Sequence, residues 1–159
     1  MLSKFFSFFT FKKGEPFDPK LIAKFNGDHV ELVNIAMDIK HKAQEEYPAN
    51  VVRSALLDLK VGLLTHFQEE EATLYKYLTV LYKDDEDKRA IVQEFNDSMY
   101  AIEDSVKLFM EKYTPLSKNM NYSGEFLTDF DALISALAHR IDTEEHHLYS
   151  LYNKKSVKS

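Results

Sequence analysis

The sequence predicts an all-α protein, an antiparallel up-down four-helix bundle, and three observations predict it. Apolar residues recur in steps of three and four along four separate stretches, the spacing that lines one face of a helix of about 3.6 residues per turn. Four glycines and four prolines are few for 159 residues, and they sit mostly between those stretches. The connections are short, so successive helices pack most simply as antiparallel neighbours. The length suits one domain with a proper core. Hydrophobic residues at 45% and charged residues at 29% are the proportions of a soluble globular chain.

Residues 1–17 read as an aromatic N-terminal arm, with Phe5, Phe6, Phe8, Phe9 and Phe11 among Lys4, Lys12 and Lys13. Its apolar part is too short, and lacks a small-residue cleavage site, for a signal peptide. The arm is expected to lay its rings over the mouth of the bundle; its basic flanks also suit contact with a membrane surface. The bundle spans residues 18–153, and residues 154–159 form a frayed basic tail. Asp18-Pro19 starts the first helix, a capping side chain followed by proline at the first helical position. Its stripe is Ile22, Phe25, Leu32, Ala36, Ile39 and Ala43, with His29 in line. Tyr47-Pro48-Ala49-Asn50 breaks the chain before the second helix, whose stripe is Val52, Leu56, Leu59, Leu63, Leu74, Tyr77 and Leu81. The acids of the turn at residues 83–87 suit the positive end of the third helix, which buries Ile91, Phe95, Met99, Ile102, Val106 and Phe109. Pro115 opens the longest loop. Ser123 starts the fourth helix, with Phe130, Leu137, Ile141, Leu148 and Leu151 facing inward.

Polar residues interrupt these stripes. Continuing the second stripe through its gap lands on His66 and Glu70, a base and an acid one turn apart where the helix should be most apolar. An unpaired buried carboxylate costs several kcal/mol or more, and a metal ion shared with the imidazole removes that cost. His29 on the first helix and Glu144 on the fourth also fall on apolar stripes. His139, at about 100° per residue, points away from its stripe and serves only a site near the helix flank. Arg140, one turn before Glu144, offers a rival arrangement: a buried ion pair with no metal. His147 follows Glu144 at the Glu-x-x-His spacing but belongs on the flank. His41 and His146 face solvent. Tyr75, Tyr77, Tyr82, Tyr100 and Tyr149 read as packing residues, any of which becomes a ligand if it lies beside a metal.

The halves of the chain echo each other. Phe25-Asn26-Gly27-Asp28 is matched by Phe95-Asn96-Asp97-Ser98, and Glu69-Glu70-Glu71 before Leu74-Tyr75 is matched by Glu144-Glu145 before Leu148-Tyr149. This pattern points to a duplicated helix pair.

The block His66-Phe67-x-x-Glu70-Glu71, with His29 before it and His139-x-x-x-x-Glu144 after it, resembles the ligand pattern of hemerythrin-like (HHE cation-binding) proteins over residues 18–152. The resemblance implies a four-helix bundle around a non-haem iron centre, commonly of two irons. It implies that His29 and His66 bind one iron, that Glu70 and Glu144 bridge both, and that His139 binds the other. The chain departs from the pattern on the third helix, where no histidine occurs between Phe67 and Ala138. The position of the absent ligand holds Met99, a core residue and a poor ligand for hard iron, or Glu103, a carboxylate at the edge of the buried face. The expected metal set is therefore His29, His66, Glu70, Glu103, His139 and Glu144, as an asymmetric or partly filled pair. One or two irons per chain are expected, with manganese or zinc also suited to these donors.

The implied function is to bind or sense a small redox ligand such as oxygen or nitric oxide, with no catalytic residue assigned. A peroxidase- or oxidase-type non-haem iron enzyme is the alternative, and a degenerate bundle acting as a non-metal interaction module is another. A net charge of -6 argues against a nucleic-acid partner. The absence of cysteine excludes thiolate ligands and nucleophiles and fits a cytoplasmic setting. There is no glycine-rich phosphate loop or nucleophile elbow, and no apolar run long enough for a membrane span. No protein partner is indicated.

Overall fold

A computed structural model describes residues 16–116 and 119–153. The phenylalanines of the arm from Phe5 to Phe11 and the basic tail lie outside the described residues. Helix α1 is Leu21–Gln44 and α2 is Ala49–Glu69, which continues without a break through a π-helical segment, Glu70–Tyr75, into α3, Lys76–Leu81. Helix α4 is Glu86–Tyr113. Helix α5, Glu125–Thr143, runs on through a second π segment, Glu144–Leu148, and a 3₁₀ turn, Tyr149–Leu151. The elements make four rods, each packed against its chain neighbours, with the first and fourth also in contact. This closed ring is the four-helix bundle, with no strand among the described residues.

The helix ends follow local chemistry. The Asp18 side chain accepts from the Lys20 N–H at 2.9 Å, which closes a local turn. It is not the helix cap expected, because the helix begins at Leu21 with Lys20 at its N-cap and no capping side chain. The first rod ends where Tyr47 N–H reaches back to Lys42 O and Glu46 takes a left-handed φ of 54°, the closure usually made by glycine. Pro48 then allows α2 to start at Ala49, inside the tetrapeptide expected to be a break. Asp85 caps α4 by accepting from Lys88 N–H, with Glu86 and Asp87 in the first turn. Gly124, at φ 53°, turns the chain into α5.

The predicted stripes form one continuous core. Ile91 and Ile141 are exceptions. Ile91 is exposed while its neighbour Val92 is buried, a one-residue shift in register near the start of α4, and Ile141 is only partly buried, beside the core. Away from the polar cluster, Phe109, Tyr113, Tyr122, Phe126 and Phe130 make stacked, edge and tilted contacts at centroid distances of 4.8–5.8 Å. The start and end of the described chain are tied together. Phe17 stacks on Tyr152 at 4.9 Å, Tyr152 Oη accepts from Asp18 N–H, and Tyr82 O–H donates to Leu151 O at 2.6 Å.

Candidate metal centre

The buried polar side chains among the described residues are His29, His66, Glu70, Arg140 and Glu144. They come from three rods and meet between them. His29 sits in the α1 stripe with Leu21, Phe25 and Leu32, so the face that packs the core also carries the imidazole inward. His66 does the same in α2, with Leu59 and Leu63 before it and Glu70 one turn after. Glu144 opens the second π segment and Glu70 the first. Glu70 is 0% and Glu144 1% exposed, so neither carboxylate reaches bulk water.

Their donor atoms converge. His29 Nε2 lies 3.0 Å from His66 Nε2, His66 Nε2 lies 3.0 Å from Glu70 Oε1, and His29 Nε2 lies 3.4 Å from Glu144 Oε2. Atoms bound ~2.1 Å from one ion, at angles between octahedral and tetrahedral, stand roughly 3.0–3.4 Å apart. Glu70 Oε1 faces His66 Nε2 but is poorly aligned with it for a hydrogen bond. Two imidazoles and two carboxylates suit iron, manganese or zinc. His29, His66 and Glu144 would hold such an ion, which would satisfy both facing ring nitrogens, with Glu70 beside His66.

The outer ring nitrogens are held by further acids. His66 Nδ1 is 3.2 Å from Asp28 Oδ2 and His29 Nδ1 is 3.4 Å from Glu145 Oε1. Such partners fix the tautomer that leaves Nε2 free to bind a metal. Tyr149 closes the remaining side. Its hydroxyl is 3.2 Å from Glu144 Oε2, 3.3 Å from Glu70 Oε2 and 3.4 Å from His29 Nε2. Sequence reading placed Tyr149 among five interchangeable tyrosines and did not single out Asp28 or Glu145. The usable signals were the positions of Asp28 and Glu145 beside inward residues and the spacing of Tyr149 from Glu144. Residues five apart share a face in a π turn, and Tyr149 N–H donates to Glu144 O in that pattern.

Electrostatics separate the two acids. Burial and the charge of Glu144 push the Glu70 carboxyl up. Burial also opposes ionisation of Glu144, but the His29 hydrogen bond and the Arg140 charge outweigh it and hold its carboxyl below the usual range. Burial lowers the basicity of His66, yet the Glu70 carboxylate facing its Nε2 raises it overall. The Tyr149 phenol is pushed up by burial and by both carboxylates, which keeps it a proton donor toward them. Arg140 is itself pinned: Nε is 2.5 Å from Glu144 Oε1, Nη2 donates to Tyr75 Oη at 2.8 Å, and Nη1 donates to Ser98 Oγ at 2.6 Å.

Of the six expected ligands, His29, His66 and Glu144 bring donor atoms within 4.8 Å of one another, and Glu70 lies beside His66. Glu103 and His139 do not join them. Glu103 is partly exposed and turns to Lys107 Nζ at 2.8 Å, one turn further along α4. His139 is exposed because α5 is regular up to Thr143, which places Arg140, not His139, in line with Glu144. His139 and His147 border a surface groove between α4 and α5. Met99 is fully buried in the core. His41 is exposed and His146 pairs with Asp142 at the surface.

An apolar cavity of about 90 Å³ abuts the cluster. Leu32, Ala36, Leu63, Phe67 and Leu137 line it, and His29, His66 and Glu144 form its polar edge.

A family model for the hemerythrin HHE cation binding domain matches residues 20–152. Searches among curated proteins and among solved structures each returned no match. No helix among the described residues is long and apolar enough to cross a membrane. With a bundle whose inward histidines and glutamates meet at one point, this chain belongs to the hemerythrin HHE cation-binding domain family.

Proposed function

We propose that the chain binds iron through His29, His66, Glu70 and Glu144 and uses it to bind or sense a small redox ligand such as oxygen or nitric oxide. The observation that carries this reading is the convergence of donor atoms of His29, His66 and Glu144 within 4.8 Å of one another, with Glu70 Oε1 3.0 Å from His66 Nε2. When bound, a ferrous ion supplies an open coordination position and a change of charge on oxidation.

The chain's own residues prepare that position. Asp28 and Glu145 orient the imidazoles, Arg140 keeps Glu144 ionised, and Tyr149 holds a proton at Oη between the two carboxylates. The adjoining cavity has a mostly apolar wall, which favours an apolar guest. At about 90 Å³ it admits a diatomic molecule. Pockets for drug-sized ligands occupy roughly 300–1,000 Å³, so an enzyme acting on a sizeable organic substrate fits poorly. A non-metal bundle held by the Arg140–Glu144 pair and by histidine contacts such as His66 Nε2 to Glu70 Oε1 is the other reading, and it predicts no bound metal and full stability with a chelator.

The test is the absorption spectrum of anaerobically purified, iron-loaded protein before and after air or nitric oxide is admitted. A new charge-transfer band that His66→Ala abolishes supports the reading. An unchanged spectrum in iron-loaded protein removes the ligand-binding role, and peroxide turnover lost in Glu70→Ala favours the enzyme instead.

A further inference from the structure

The sequence echo between the two halves extends to individual contacts. In register, Phe25, Asp28 and His29 correspond to Phe95, Ser98 and Met99. Likewise His66, Glu70 and Tyr75 correspond to Arg140, Glu144 and Tyr149. Both π segments open at the matched glutamates. His66 Nε2 is 3.0 Å from Glu70 Oε1, one turn on, and Arg140 Nε is 2.5 Å from Glu144 Oε1, one turn on. His66 Nδ1 is steadied by Asp28 on the first rod. Arg140 Nη1 is steadied by Ser98, the counterpart of Asp28, on the third. The tyrosines cross over: Tyr149 reaches His29 in the first half, and Tyr75 accepts from Arg140 in the second. Arginine therefore repeats two contacts of His66, to the glutamate one turn on and to the counterpart of Asp28, while the approach of His66 to His29 has no equivalent.

We propose that the Arg140 guanidinium is this chain's second cation, standing where the internal repeat would place a second metal ion, so that the bundle holds a single ion. The proposal rests on the metal-binding reading above. A guanidinium has donors and no lone pair, so it cannot coordinate a metal. The counterpart of His29 is Met99, a buried thioether poorly suited to a hard ion. Glu103 and His139, which could have completed a second set, face Lys107 and solvent. Among the described residues, His29, His66 and Glu144 form the one cluster of three such donors. Glu144 then bridges unlike cations, with Oε1 toward Arg140 and Oε2 toward His29 and Tyr149. Unlike an ion, this second charge neither dissociates nor changes oxidation state.

The experiment titrates metal-free, full-length protein with Fe²⁺ under anaerobic conditions, counts bound iron by elemental analysis, and records the electron paramagnetic resonance spectrum after oxidation. Wild type should saturate at one iron per chain and show an isolated high-spin ferric signal. The double variant Met99→His with Arg140→His restores the second half to the pattern of the first. It should take up a second equivalent, and coupling between neighbouring ions should quench that signal. Two equivalents in wild type would overturn the proposal while leaving the iron-binding reading intact. No binding in either protein would overturn both. If circular dichroism shows the double variant unfolded, the wild-type count and signal decide alone.

Discussion

At His66 the two ring nitrogens have different tasks: Nε2 faces the cluster and Nδ1 is held by Asp28. Removing such an outer partner typically lowers metal affinity 10–100-fold. Asp28→Ala should therefore weaken Fe²⁺ binding by about that factor, measured by anaerobic titration, with helical content unchanged because Asp28 is only partly buried. The same residues set a pH dependence. His66 is raised above its ordinary 6.5 and Glu70 above its ordinary 4.5. The folded, metal-free chain thus binds more protons than the unfolded chain, and stability falls as pH rises through that window. Glu144, held below its ordinary 4.5, acts in the opposite sense, with its contribution lost only in stronger acid. Thermal melts of metal-free protein should show a higher midpoint at roughly pH 5.5 than at pH 8. Metal affinity should run the other way, since binding displaces those protons.

At the scale of elements, the long helices were legible because an amphipathic stripe is a property of sequence alone, and so were His29, His66, Glu70 and Glu144 as interruptions of it. Turns were legible where a side chain acts locally, as at Asp85. The π segments were not, because they change the angular spacing partway along a rod. A uniform α period therefore gives no reason to bring Tyr149 back beneath Glu144 or Tyr75 beneath Glu70. The same cause explains His139. Its five-residue spacing from Glu144 would suit a π turn before Glu144, but the wide turn comes after it, and Arg140 takes the inward place. The close approach of the first two rods carries its own prediction. A Cβ on Gly62 would meet Leu32 Cδ2 at 2.9 Å, and Leu32 lines the apolar cavity. In Gly62→Ala, a helix-propensity gain of about 1 kcal/mol offsets the cost of moving a flexible leucine end. Stability in urea should stay within about 1 kcal/mol of wild type, while Leu32 narrows the cavity and slows reaction with nitric oxide in stopped flow.

Across the whole molecule, function and stability occupy different regions. Phe126 opens α5 in the aromatic cluster, while Glu144 follows the far end of the same helix. The apolar clusters supply the burial that lets the bundle carry two carboxylates with no access to water. Arg140 offsets one of those charges permanently, and the second is answered in the metal-free chain by the protons that Glu70 and His66 retain. Metal binding should therefore stabilise the fold by linkage, because the unfolded chain has no assembled site. At about one hundred times the dissociation constant the gain is ~2.7 kcal/mol, or roughly 5–10 °C in melting temperature for a chain of this size. The decisive measurement is the thermal melt of wild type and Glu70→Ala, each with and without Fe²⁺ under anaerobic conditions. The account predicts that iron raises the wild-type midpoint by that amount and leaves Glu70→Ala unmoved. No shift in wild type, or the same shift in both proteins, would contradict it.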